Sequence, residues 1–422
     1  MNQQRFKYGN RPLALGETIS NDTFVTGLNN NDLIIGNSGC GKTGSYVVPA
    51  LQNIEGSLVV ADTKGQLEKR FKKSLREKGY RVFTLDFVNP ERSCGYNPLR
   101  YIRRDTKGRI REQDVISVAT LLSPVQDLHE PVWDQCARGM LSFLIAYCME
   151  TTKGNHPCME DVVKLHEMFS KQDGDLPFLR WIDANPDSYV ARKYHQLQAN
   201  RTADKMWASV EGFVSNNLEP FNFHESKYIF SRESNLDLRS LGKRKTVVFL
   251  NVSDTDRSYD QIINLFYAQT MQVLCAEADK EEDGRLNIPV RLILDDFAAN
   301  AVIPDFDKII SIVRSRDIYI SLILQSLSQL ESMYSHSVAC TIVNNCDHIL
   351  FMGSQDVRTA EIISARACVA PENILMMPRN KMYLLRAGEK ARLVNKIPPY
   401  STLAGDDTAA GRTSQAELQP SA

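Results

Sequence analysis

The feature that most constrains this chain is the run Gly36-Asn37-Ser38-Gly39-Cys40-Gly41-Lys42-Thr43, which fits the pattern G-x-x-x-x-G-K-[ST]. Asp32-Leu33-Ile34-Ile35 before it reads as a buried strand, and a helical stretch follows it. A strand, a glycine-rich turn and a helix in that order let consecutive backbone N–H groups surround phosphates, with the positive helix end behind them. Lys42 then reaches the β- and γ-phosphates as a point charge. The Thr43 hydroxyl takes one position on an octahedral Mg²⁺. The expected ligands are therefore ATP and Mg²⁺.

Bulk properties narrow the classes that remain. A chain of 422 residues, 43% hydrophobic and 24% charged, has room for two to three domains with ample core. A formal net charge of −1 gives no global pull toward nucleic acid or an anionic membrane, so any DNA contact must come from a local patch or pore lining. The nine cysteines include no C-x-x-C pair, a pattern of a reducing compartment rather than a disulfide framework. His156 and Cys158 stand close, but no second pair completes a zinc set. The longest apolar run, Met140 to Met149, is about half of a membrane span, and the N-terminus has no hydrophobic signal core. The expectation is a cytoplasmic protein held at a membrane only through a partner.

Seven segments rich in Val, Ile and Leu read as buried strands: 32–36, 57–62, 81–87, 246–253, 291–296, 318–326 and 348–353. Helical stretches separate most of them, which predicts an α/β fold with a mostly parallel central sheet covered on both faces. Between Gly65 and Tyr80, Leu67, Phe71 and Leu75 recur every four residues, with lysines and arginines mostly off that face, as in an amphipathic crossover helix. From 111 to 243 the alternation breaks and the chain reads as nearly all helix. Its core helix is expected over Val132 to Glu150. A second runs from Arg201 to about Leu218, with Met206, Trp207, Val210, Phe213 and Val214 at helical spacing. The expected organisation is an extension (1–23), a discontinuous nucleotide-binding domain (24–110 and 244–400), an all-α insertion (111–243) and a disordered tail (401–422).

Hydrolysis needs more than a phosphate loop: a carboxylate for the metal, a group that orients water and a cation for developing charge. Arg291-Leu292-Ile293-Leu294-Asp295-Asp296 is an apolar strand ending in two acids, as expected of a Walker B strand beside the loop strand. Asp295 would hold Mg²⁺ through water, and Asp296 would polarise the attacking water. Gln325 ends another buried strand, at the edge where open α/β sheets bind ligands, and can bond a γ-phosphate or its water. Arg314 and Arg316 precede that strand. Either is a candidate for a cation supplied in trans, or for a surface ion pair.

The ordered set Gly36 to Thr43, Val59-Val60-Ala61-Asp62-Thr63-Lys64-Gly65, Cys94-Gly95-Tyr96-Asn97-Pro98-Leu99, Leu294-Asp295-Asp296-Phe297-Ala298 and Leu324-Gln325-Ser326 resembles the type IV coupling proteins of conjugation, the TraG/TraD class. Pro131-Val132-Trp133 is similar to the start of that family's all-α domain. The resemblance implies a RecA-like P-loop ATPase with an inserted all-α domain, usually a homo-hexamer, that pumps relaxase-bound single-stranded DNA into a type IV secretion channel. It also implies that the all-α domain recognises substrate. Three features depart from the family pattern: no N-terminal transmembrane helices, Asp296 where Glu is usual, and Gln66 where Glu often follows D-x-K-G. Two other readings stay open, an ATP-binding docking adaptor without turnover and a hexameric motor on double-stranded DNA.

Overall fold

The computed structural model of the chain describes residues 6–124, 132–152, 156–171, 173–201, 204–230, 235–253, 255–295 and 302–398. Asp296 and the predicted tail at 401–422 lie outside the described residues.

All seven segments expected as strands form strands, each ending one or two residues earlier than the sequence suggests: β3 (Asp32–Ile35), β4 (Ser57–Ala61), β5 (Arg81–Asp86), β6 (Thr246–Asn251), β7 (Val290–Leu294), β8 (Ile318–Leu324) and β9 (His348–Phe351). Four more were not anticipated. β1 (Asn10–Ala14) and β2 (Glu17–Ser20) form a separate hairpin, while β10 (Lys381–Arg386) and β11 (Arg392–Asn395) add an antiparallel ribbon to the main sheet. The nine-stranded order is β11-β10-β9-β3-β8-β7-β4-β6-β5, parallel from β9 to β5.

Both faces of the sheet are covered, which is why its strands read as continuous apolar runs. Leu33 and Ile35 point into one core with Val59, Leu292 and Leu322; Ile34 points into the other with Val60, Ile293 and Ile323. The second core is closed by Leu67, Phe71 and Leu75 of the helix Gln66–Glu77, by Tyr46, Val47 and Leu51, and by Leu13 and Ile19 of the hairpin. Asp62 starts that helix: its carboxylate accepts from the amides of Gln66 (3.0 Å) and Glu68 (2.9 Å), a cap that stabilises by about 1 kcal/mol. Gly79 stops it, at φ +83°, as Tyr80 N–H donates back to the Leu75 carbonyl. The basic side of this helix is solvated, with Lys72 and Lys73 paired to Glu68 and Glu77 at four-residue spacing.

Between β5 and β6 the described elements are helical, and they pack onto the first core. Val132–Thr151 runs through the centre of this block. Met140, Leu141, Phe143, Leu144 and Ile145 are fully buried, so the middle of the helix is enclosed on all sides rather than amphipathic. Phe143 meets the rings of Phe169, Phe178 and Tyr194, making the aromatic positions core rather than a ligand platform. The second long helix spans Asp204–Asn222, starting later and ending later than its periodicity predicts. The Tyr96-Asn97-Pro98-Leu99 element fastens block to sheet. Tyr96 Oη donates to Gln269 (2.6 Å), Asn97 Nδ2 to the Pro157 carbonyl (2.8 Å), and Tyr96 N–H to the Ile229 carbonyl (2.7 Å).

A buried ionic cluster sits at the N-terminal ends of the central strands. Asp32, fully buried, accepts a bidentate pair from Arg11 of β1 (2.7 Å each) and a third bond from Arg291 of β7 (3.0 Å). His348 Nδ1 lies 3.1 Å from the same carboxylate, and the Tyr46 hydroxyl donates to it. Burial alone would raise the Asp32 pKa; the Arg11 and Arg291 guanidiniums more than reverse this and hold the carboxyl far below the usual carboxylate range.

Candidate nucleotide site

The phosphate loop leaves β3 and turns into a helical segment whose first turn, Thr43–Val47, has π geometry before regular helix over Val48–Gln52. Pro49 cannot donate to the preceding turn, and the wider turn accommodates it. Two loop glycines are required by backbone alone: Gly39 at φ +76° and Gly41 at +91°. Space is also tight at Gly36, where a Cβ would lie 2.4 Å from Cys40 Sγ and 3.1 Å from Met352 Cβ and would force the Cys40 side chain to move. Its amide donates to the Leu324 carbonyl and that of Asn37 to the Gly353 carbonyl, which moors the loop to the ends of β8 and β9. Lys42 is 8% exposed; its ammonium donates to the carbonyls of Gly36 (2.6 Å) and Asn37 (3.2 Å). That leaves one of three donors for a phosphate oxygen.

Two candidates distant in sequence meet here. The Thr43 hydroxyl donates to Asp295 Oδ2 at 3.0 Å, one residue beyond the end of β7. Neighbouring oxygen ligands of an octahedral Mg²⁺ stand roughly 3 Å apart, so this pair fits that ion either directly or through one of its waters.

The strand carrying Asp295 is not beside the loop strand. Contrary to the sequence expectation, β3 pairs with β8 and β9, and β8 separates it from β7. The interposed strand delivers Gln325. In register, Ile35 faces Leu324 and Leu294 faces Leu322, so Gln325 emerges level with Gly36 and between the loop and Asp295. Its amide donates to Gln329 Oε1 (3.2 Å), tying this edge to the helix Leu327–Met333.

Arg314 is at the other end of β8. It precedes a seven-residue strand, so roughly 20 Å of sheet separates it from its own chain's loop. It is exposed and donates to the Gly27 carbonyl (2.7 Å). Arg316 is held by Asp279 (2.9 Å) and the Ile312 carbonyl, the surface ion pair foreseen as its alternative. Of the two, Arg314 is bound by no carboxylate among the described residues. Lys64 of the D-x-K-G turn is exposed at the loop edge, where its strand β4 also ends.

Sequence reasoning missed one residue at this edge. Lys396, just past β11, sends its ammonium to the Cys40 carbonyl of the loop and carries no local motif.

A phosphate loop on a parallel sheet, a carboxylate two strands away in contact with the loop's Thr43 and a glutamine-ended strand between them define a RecA-like P-loop NTPase fold with a helical domain. The chain belongs to the type IV secretory system conjugative DNA transfer family, whose family model matches residues 1–368. It is 23% identical to VirD4 of Agrobacterium fabrum over 377 residues, covering 86% of this chain and 53% of that protein. VirD4 of Rhizobium rhizogenes is also 23% identical, over 365 residues, with 84% and 50% covered. The chain thus spans about half the length of these relatives. In fold it is similar to the conjugative coupling protein TrwB, solved with a non-hydrolysable ATP analogue: TM-score 0.67, 15% identity, 87% of this chain and 85% of that one. VirB4 of Thermoanaerobacter pseudethanolicus gives a TM-score of 0.54 at 12% identity, covering 95% and 99%. Among the described residues no helix is long and apolar enough to cross a membrane.

Proposed function

We propose that this chain is the ATP-driven motor of a coupling protein, which recruits relaxase-bound single-stranded DNA and delivers it into a type IV secretion channel. The observation that carries the reading is the Thr43–Asp295 contact at 3.0 Å beside Gln325. A surface loop with a chance phosphate-binding pattern has no reason to meet an acid 252 positions away. In this reading Lys42 holds the β- and γ-phosphates, while Thr43 and Asp295 would hold Mg²⁺, which would supply positive charge beside the transferred phosphoryl group. Asp296 polarises the attacking water. Gln325 senses the γ-phosphate and passes its presence to the helix Leu327–Met333.

Arg314 completes the site from the next copy in a homo-hexameric ring. Its place at the opposite edge from its own loop supports this, since only a neighbour's nucleotide is within reach. The helical block, 111–243, docks the protein substrate, and local pore residues contact DNA, because the net charge of −1 offers no global attraction. The assembly works at the cytoplasmic face of the membrane, where a partner holds it.

Shared sites make a sharp expectation. Lys42→Ala and Arg314→Ala are each inactive alone, but randomly mixed rings contain intact interfaces and recover about a quarter of wild-type ATP turnover. Phosphate release from co-expressed variants reads this. No recovery would remove Arg314 from the neighbour's site.

A further inference from the structure

Lys396 is a buried cation that no described carboxylate neutralises. It is 8% exposed, and its ammonium donates to two backbone carbonyls, Met352 at 2.8 Å and Cys40 at 3.1 Å. Burying an ammonium without an ion-pair partner is costly, and carbonyl dipoles offset that only in part. The position of this unbalanced charge is specific. Cys40 belongs to the phosphate loop, Met352 directly follows the strand next to the loop strand, and Cys40 Sγ, Met352 Cβ and Lys42 Cγ all crowd around Gly36.

The bond to the Cys40 carbonyl has a geometric consequence. Carbonyl and N–H of one planar trans peptide point in opposite directions, so anchoring the Cys40 oxygen outward turns the Gly41 N–H inward. This peptide is free to flip, because Gly41 has φ +91° and lacks the Cβ that would restrict it.

We propose that Lys396 is a positioning residue of the nucleotide site: its ammonium fixes the Cys40–Gly41 peptide with the Gly41 N–H toward the bound phosphates and supplies a buried positive charge matched to theirs. The role rests on the nucleotide reading above and assigns a purpose to the last strand of the sheet. Among the described residues β11 is an edge strand whose one strand partner is β10, yet the residue after it clamps the loop, and its own amide donates to the Asn380 carbonyl (2.9 Å) to fix the approach.

Burial lowers the Lys396 pKa from its ordinary value. The titratable group acting on it is the Cys40 thiol of the loop; Met352 and Asn380 meet it through their backbone carbonyls. A protonated Lys396 favours bound phosphate, so affinity is full at neutral pH and falls as alkali removes the proton. Arginine at this position stays charged throughout.

The test is ADP binding with Mg²⁺ to the full chain in a Cys40→Ala background, followed by calorimetry from neutral to alkaline pH. Lys396→Met is expected to weaken binding about tenfold at neutral pH. The parent is expected to lose affinity at lower pH than Lys396→Arg. Lys42 is common to all, so the difference between profiles belongs to Lys396. Unchanged affinity in Lys396→Met, or coincident profiles for the parent and Lys396→Arg, would overturn the proposal. If Lys396→Met does not fold, the two remaining profiles still decide. Absence of ADP binding by the wild-type chain would instead overturn the nucleotide reading, and this proposal with it.

Discussion

Lys42→Ala is expected to lower ATP turnover by about 10²–10³-fold, the loss seen when one preorganised donor to a developing charge is removed. The ammonium lies inside the loop, with the carbonyls of Gly36 and Asn37 holding it at 2.6 and 3.2 Å. It therefore needs little reorganisation to meet a phosphate. Alanine removes the charge and leaves the glycines, so the loop keeps its backbone path through Gly39 and Gly41. The fold is expected to stay intact, with a thermal midpoint within about 4 °C of wild type and an unchanged circular dichroism spectrum. Phosphate release checks the first part and thermal unfolding the second. Wild-type turnover in a folded Lys42→Ala protein would remove the loop from the chemistry.

Asp32→Ala is expected to cost about 3–5 kcal/mol of stability, because it leaves buried guanidiniums without their counter-charge. Arg11 and Arg291 both converge on this carboxylate from different strands, at 2.7 and 3.0 Å. Arg11 Nε and Arg291 Nη2 already have no protein partner. Among the described residues Asp32 is the carboxylate with which each of these arginines forms an ion pair. The cluster also has a pH signature. Asp32 has a folded pKa held well below the ordinary carboxylate value near 4, mainly by Arg11 and then Arg291 acting against burial. Its contribution is thus fully present above about pH 4 and is lost as the pH falls toward the folded pKa. Urea unfolding at a series of pH values checks both points. Asp32→Asn should flatten the acid limb relative to wild type, and an unchanged limb would mean the cluster carries no linked charge.

The parts of the site legible in the sequence were those written in short, local patterns. Gly36 to Thr43 and the acid-terminated run at Arg291–Asp295 each announce a strand and its ending within ten residues, and Gln325 does the same. Strand order is not written locally. Placing β7 beside β3 was the economical guess, and it failed because β8, later in the chain, inserts between them with a pairing register as good on either side. The Asp32 cluster was illegible for the same reason: Arg11, Tyr46, Arg291 and His348 are ordinary residues until the sheet gathers them. β11 escaped because an edge strand reading Arg392-Leu393-Val394-Asn395 has one covered residue face and little periodicity. Tyr96 to Leu99 was noticed through resemblance, while its physical role as a fastener between sheet and helices appears only in the contacts to Pro157, Ile229 and Gln269.

The central claim, ATP hydrolysis coupled to DNA, is met most directly by steady-state ATP turnover of the full chain with and without single-stranded DNA, at several stated salt concentrations. Salt matters because phosphate contacts release counterions, so stimulation through a basic pore lining must weaken as salt rises. The expected result is a several-fold rise in turnover with single-stranded DNA, smaller at higher salt and absent in Lys42→Ala. Turnover that ignores DNA at every salt concentration, or ATP binding with no turnover at all, would contradict the motor and leave a docking adaptor in its place.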